Sequence, residues 1–328
     1  MRRIVAALVA VAFGVAAACA VLWYEVAKNR SHPTQAVTVI IPRGDTLHEI
    51  ASQLTGEGVI DNALTFRFLA KLQHVDAEVR AGEYRFGAHM TQREVLRALV
   101  TGGAQVATWV TIPEGFTAAQ IARRLHDVGA GSIADFQEAF RRGTLDVDGA
   151  RTKSLEGFLF PSTYLVPLAS SPQAIAAIMT AEFLKELPPD AARRANALHV
   201  TVPQAVTVAS LVEREAKSES DRPKIAGVIY NRLRLGMPLQ VDATIEYALQ
   251  RHKAALSFAD LRIDSPYNTY LHAGLPPTPI ANPGLASLQA ALMPAHGNDL
   301  YYVYCGHGTH AFATTLARHQ ANVARCLP

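Results

Sequence analysis

One stretch of this chain occurs twice, and the repetition constrains the fold more than any other feature. Val39-Ile40-Ile41-Pro42-Arg43-Gly44-Asp45-Thr46, followed by Ile50, Ala51 and Leu54, returns 71 positions later as Val110-Thr111-Ile112-Pro113-Glu114-Gly115-Phe116-Thr117, followed by Ile121, Ala122 and Leu125. Each copy predicts a strand, a Gly-containing turn, a Thr able to cap a helix N-terminus, and a helix with apolar positions at i, i+1 and i+4. A weaker correspondence lies downstream of each copy. Ala81-Gly82-Glu83-Tyr84-Arg85-Phe86 leads to Thr91 and a helix from Glu94 to Val100, while Glu156-Gly157-Phe158-Leu159-Phe160-Pro161 leads to Ser171-Pro172 and a helix from Ala174 to Ala181. Both copies thus read as small units that alternate strand and helix.

A strand-helix unit with a P-x-G-x-T opening resembles the LysM module, which binds N-acetylated glycans of cell walls. The first copy, residues 37–103, is the better match, and the second is built into the downstream domain. The alternative is a plain packing unit, because short β-α motifs are common and the first copy offers no obvious sugar-stacking aromatic.

Ahead of the repeat, Ile4 to Tyr24 contains no charged residue. At about 1.5 Å per residue it just covers a bilayer core of roughly 30 Å. Arg2 and Arg3 precede it, Trp23 and Tyr24 stand where an interfacial belt belongs, and a long domain comes after, which predicts the N-terminus inside and the bulk exported. A cleaved signal peptide is the alternative, given Ala16, Ala18 and Ala20, although the run is longer than an ordinary signal core. The remaining composition is that of a folded body: 49% hydrophobic, 18% charged, and 31 Lys+Arg against 28 Asp+Glu. A net charge of +3 excludes nucleic-acid binding by bulk electrostatics. Outside the apolar run the cysteines are Cys305 and Cys326, which an oxidising compartment permits to pair; two buried free thiols are the alternative.

Two helices are well marked further on. Thr201 with Pro203 opens one that runs to about Lys217, and Ser220 or Asp221 with Pro223 opens another with a stripe of Ile225, Val228, Ile229 and Leu233, closed by Gly236. Beyond it the chain is dense in Pro, Asn, Gly and Tyr, and a long irregular segment in a compact domain predicts the walls of a groove. On the first helix, Glu215 continues the face of Val208, Leu211 and Val212, whereas Glu213 lies beside Val206, Ala209 and Ser210. A carboxyl extending an apolar stripe is desolvated, and desolvation raises its pKa toward that of a general acid usable at neutral pH. The bland alternative is an ion pair of either glutamate with Arg214, Lys217, Arg232 or Arg234.

Ala209-Ser210-Leu211-Val212-Glu213-Arg214-Glu215, Ile229-Tyr230-Asn231-Arg232-Leu233-Arg234-Leu235-Gly236-Met237-Pro238-Leu239-Gln240-Val241-Asp242-Ala243-Thr244, Tyr267-Asn268-Thr269-Tyr270, Gly274-Leu275-Pro276-Pro277 and Ala281-Asn282-Pro283-Gly284 together resemble the endolytic murein transglycosylases of the MltG (YceG-like) family. The resemblance covers nearly everything from the apolar run to the C-terminus. It implies that the catalytic acid, the second glutamate of a Glu-x-Glu pair, is Glu215. One departure is Ser162, where the family pattern often has an acidic residue.

The resemblance further implies non-hydrolytic cleavage of the β-1,4 bond between N-acetylmuramic acid and N-acetylglucosamine, leaving 1,6-anhydro ends and limiting strand elongation. Gln240, Asp242, Tyr267, Asn268, Tyr270 and Asn282 are candidates to bind sugar hydroxyls and N-acetyl groups, with backbone satisfaction in the loops as the alternative. Asp242 and Glu246 are candidate second carboxyls. The His-containing end, His307 and His310 with His296 and His319, lacks any metal-ligand pattern, so no metal or cofactor is expected, and a turn with a hydrogen-bonded His310 is the ordinary reading.

The expected architecture is α+β: residues 1–30 as cytoplasmic stub and transmembrane helix, 37–103 as the LysM-like module, and 108–328 as the catalytic domain. The expected partners are peptidoglycan glycan strands, the membrane, and the peptidoglycan synthases of elongation or division, without nucleic acid. The expected location is the bacterial inner (cytoplasmic) membrane, with the catalytic domain periplasmic or otherwise extracytoplasmic. A hydrolytic muramidase and a non-catalytic wall-binding tether are the competing functions.

Overall fold

A computed structural model describes Gly14 and residues 35–251, 253 and 256–326. The expected membrane segment lies outside the described residues. Among those described, no single helix is long and apolar enough to cross a membrane. The chain forms two compact units, one reaching to Val110 and taking back Tyr164–Ala169, the other comprising Thr111–Thr163 and Ser170 onward.

The first unit arises from the first copy of the repeat. β1 (Val37–Ile41) leads to α1 (Leu47–Gly56), whose N-cap Thr46 accepts from the Glu49 N–H while Glu49 accepts from the Thr46 N–H. This reciprocal pair satisfies two of the helix's orphan donors. α2 (Ala63–Leu72) is capped by Asn62. β2 (Gly82–Phe86) then leads to α3 (Gln92–Thr101), capped by Thr91 and Glu94 and stopped by Gly102 at φ 80°. β1 and β2 pair antiparallel with Val39 opposite Tyr84. Alternation does the sorting: Val39, Ile41, Tyr84 and Phe86 are buried, while Ile40 and Arg85 face out. With Leu54, Phe66, Leu96 and Leu99 they make one core, each such side chain contributing roughly 1.5–3 kcal/mol. β3 (Gln105–Thr111) continues the sheet.

The second copy of the repeat leaves β3 through α4 (Ala118–Asp127), where Thr117 and Gln120 repeat the reciprocal cap. α5 (Ile133–Arg142) and a small hairpin of β4 (Asp146–Val147) and β5 (Ala150–Arg151) come next. The later strand of this copy, β6 (Thr163–Pro167), lies beyond Glu156–Pro161 and joins the first unit's sheet, in the order β1-β2-β3-β6. α6 is longer than expected, spanning Pro172–Glu186.

α7 (Ala191–Ala197) precedes α8 (Val202–Glu215), the central helix of the second unit, with Thr201 as its N-cap. Val206, Val208, Ala209, Leu211 and Val212 are all buried, so α8 has no dry and wet faces to compare. α9 (Arg222–Arg234) buries Ile225, Val228 and Ile229 as the stripe predicts, and Leu233 is half-buried. α10 (Asp242–Leu249) and α11 (Leu285–Leu292) bracket the irregular segment. The chain ends in a hairpin of β7 (Tyr301–Tyr304) and β8 (His310–Ala313), then α12 (Leu316–Cys326). Cys305 and Cys326 are joined as a disulfide, which ties the far end of α12 to the hairpin.

Candidate active site

A cleft of about 710 Å³ opens in the second unit where α8 ends. Glu215 is the last residue of α8 and lines it, half-buried. Burial raises the Glu215 pKa to about 7, opposed first by the Tyr302 hydroxyl. That hydroxyl donates to Glu215 Oε2 at 3.0 Å. Nearby Asp242 raises the pKa further, while Lys217 and the Ala243 N–H at the start of α10 lower it. Among the described residues no lysine or arginine forms an ion pair with Glu215. Its holder is a neutral donor, and Tyr302, pushed well above its ordinary range by burial and by Glu215, stays protonated.

Glu213 is held differently. Its Oε2 accepts from Arg222 at 3.3 Å and from the Gly284 N–H at 3.1 Å, at the start of α11. Glu114 lies against the same helix end, where a side chain at Gly284 would collide with its carboxylate. Burial and then the neighbouring Glu213 raise the Glu114 pKa.

Three of the six expected sugar contacts reach the cleft. Gln240 is exposed, with φ at 54°, a strained value for a residue other than glycine. Its Oε1 accepts from Arg232 at 3.2 Å. Asp242 is exposed and accepts from the Tyr270 hydroxyl, and both residues line the cleft. Glu246 also lines it, held by Arg214 at 3.2 Å.

Tyr267, Asn268 and Asn282 lie elsewhere, for a physical reason. Tyr267 shares a hydrogen bond with Thr278 at 2.8 Å and packs its ring on Tyr247. Asn268 is fully buried, its amide donating to the carbonyls of Leu261 and Ile263. Asn282, also fully buried, accepts from the N–H groups of Gly157 and Leu159 at 2.9 Å each, and donates to Phe116 O and Glu156 Oε1. These side chains replace a regular ladder in braced loops, where each buried backbone group needs a partner. Their polar atoms are spent on the protein and do not turn toward a sugar.

Sequence reasoning missed several groups. Glu156 is buried outside the cleft, its pKa raised to about 7 by burial, and it accepts from the Ala118 N–H, Tyr247 and Asn282. Arg232, in no ion pair among the described residues, donates to the Leu300, Pro238 and Leu239 carbonyls and so ties the loop that leads to Gln240 to the residue just ahead of β7. His310, by contrast, is hydrogen-bonded beside a turn as expected: its Nδ1 lies 3.1 Å from Asp221, which also accepts its backbone N–H. Tyr302 had only the tyrosine-rich strand as a signal. Its partner lies 87 positions away.

The YceG-like family model matches residues 39–325. The endolytic murein transglycosylase of Bacillus subtilis strain 168 is 34% identical over 302 residues, covering 86% of this chain and 82% of the relative. The enzyme of the same description from Streptococcus pneumoniae serotype 2 strain D39 is 32% identical over 321 residues, 88% of this chain and 58% of that longer protein. A crystal structure of a YceG-like protein from Listeria monocytogenes superposes with a TM-score of 0.62 at 31% identity, covering 88% of this chain and 99% of that one. With a match across nearly all of its described residues, and relatives this similar over most of their common length, the chain belongs to the YceG-like family.

Proposed function

We propose that this protein is an endolytic peptidoglycan lytic transglycosylase, with Glu215 as its catalytic acid and base. The observation that carries the reading is a carboxyl in an open cleft, held by a hydroxyl instead of a cation, with its pKa brought near neutrality. Such a group is available both protonated and ionised at working pH. Protonated Glu215 donates to the glycosidic oxygen leaving C1 of the muramyl residue as oxocarbenium character develops. The resulting carboxylate takes the proton of the same sugar's 6-hydroxyl, whose oxygen bonds to C1 and closes the 1,6-anhydro ring. Because that hydroxyl is tethered, its effective molarity favours it over water. Gln240, Asp242 and Tyr270 are the side chains proposed to hold the sugars.

The finer organisation is part of the same proposal. Residues 1–30 anchor the chain in the cytoplasmic membrane, residues 37–103 act as a LysM-like glycan-binding module, and residues 108–328 cut nascent strands outside the cytoplasm beside the synthases that extend them.

Mass spectrometry of digested glycan strands tests the reaction, with 1,6-anhydromuramyl ends expected. Asp242, in the same cleft, is the group a hydrolytic muramidase would use, and products heavier by one water would establish that reaction instead. Tyr302→Phe removes a hydrogen bond that favours the Glu215 carboxylate, so the alkaline limb of kcat/KM is expected to move to higher pH. An unmoved or lowered limb would separate Tyr302 from the titrating group.

A further inference from the structure

The Glu215 cleft has a second hollow beside it. A cavity of about 330 Å³ is lined in part by Arg214, Ala243 and Glu246, which also line the cleft, so the two are adjacent. They differ in charge. The cleft carries Glu114, Glu213, Glu215, Asp242 and Glu246. In the hollow the acidic side chain among the described residues is Glu246, already engaged by Arg214 at 3.2 Å and by the Lys253 N–H at 3.0 Å. Arg123 of α4 and Arg251, just past α10, also line the hollow. Both are exposed, and neither meets a carboxylate among the described residues.

Two guanidinium groups from distant parts of the chain thus line one concavity whose carboxylate is already held by Arg214, which leaves their charge to be met by an anion from outside. Guanidinium presents a planar fork of donors that matches a carboxylate. We infer that this hollow is a subsite for the carboxylates of the peptide stem carried by a muramyl residue beside the bond that is cut. The inference rests on the transglycosylase reading above and extends it from sugar to peptide. A neutral glycan backbone offers these arginines hydroxyl and carbonyl acceptors but no counter-charge. The peptide hangs from the lactyl ether of the muramyl sugar, so it leaves the sugar-binding cleft sideways, and the hollow lies beside that cleft.

The test is equilibrium binding of a soluble disaccharide-tetrapeptide, and of the same disaccharide without its peptide, to wild-type protein and to the Arg123→Ala/Arg251→Ala variant. Wild type is expected to bind the peptide-bearing fragment roughly tenfold more tightly, the scale of one to two charge-assisted contacts, and the variant to lose that preference. A third fragment with its stem carboxyls amidated is expected to behave as the peptide-free one. The inference is overturned if wild type shows no preference, if the variant keeps it, or if amidation leaves it intact. Cleavage of peptide-stripped strands by both proteins reads the transglycosylase reaction separately, since that activity is expected to be equal in the two.

Discussion

Glu215→Gln is expected to lower kcat/KM for glycan strands by about 10³-fold, within the range by which a positioned acid-base group accelerates proton transfer. The amide keeps the shape of the side chain and a hydrogen-bonding oxygen for Tyr302, but it can neither give up a proton to the leaving oxygen nor take one from the 6-hydroxyl. Wild-type kcat/KM is expected to fall tenfold per pH unit above about 7, where the acid is lost. Stability supplies an independent reading. The Glu215 pKa is raised from 4.5 to about 7, so between those values the folded state binds the proton and the unfolded state does not. Its stabilising contribution is complete below about 4.5 and is lost as pH rises through 7. The Gln variant is therefore expected to lose less stability than wild type over that interval, as followed by denaturant unfolding at several pH values. Retention of full cleavage by the variant would remove Glu215 from the chemistry.

Asn282→Ala is expected to destabilise the second unit by about 4 kcal/mol, measured as a shift in the denaturant midpoint. The mutation strands two buried N–H groups at Gly157 and Leu159 and removes one donor each from the buried Glu156 carboxylate and from the Phe116 carbonyl, which keeps the backbone N–H of residue 282. Each such group costs about 1–3 kcal/mol when left without a partner. The variant that folds is expected to retain its affinity for glycan. Loss of affinity with stability unchanged would return Asn282 to the role of a sugar contact.

Local chemistry was the legible part of the chain. The helix starts at Thr46, Thr91, Thr117 and Thr201 are visible because a capping hydroxyl and the residue three positions on act within a single turn. The place of Glu215 in a cleft was also legible, although periodicity served it less well than it promised. α8 is buried around its whole circumference, and the Glu213 side chain, only 7% exposed, sits in protein as well. What separates the two glutamates is compensation: Arg222 and the Gly284 N–H for Glu213, a neutral hydroxyl for Glu215. Those partners come from distant segments, and no local pattern announces them. For the same reason Asn268 and Asn282 looked like sugar ligands. A loop amide that braces backbone and one that binds a hydroxyl are the same residue until its neighbours are known.

The Asn282 brace has a kinetic consequence. Its hydrogen bonds close loops of 123, 125 and 166 residues, so none of them can form until most of the second unit has been gathered. Contacts of that span cost chain entropy before they return any stability, and folds that depend on them form slowly. Until the brace closes, the turn after β3 that carries Glu114 and the segment around Glu156 lack their common anchor. The slow step of folding and the assembly of the cleft are then expected to coincide, so that protection of the Gly157 and Leu159 amides in pulsed hydrogen exchange should appear together with cleavage activity during refolding.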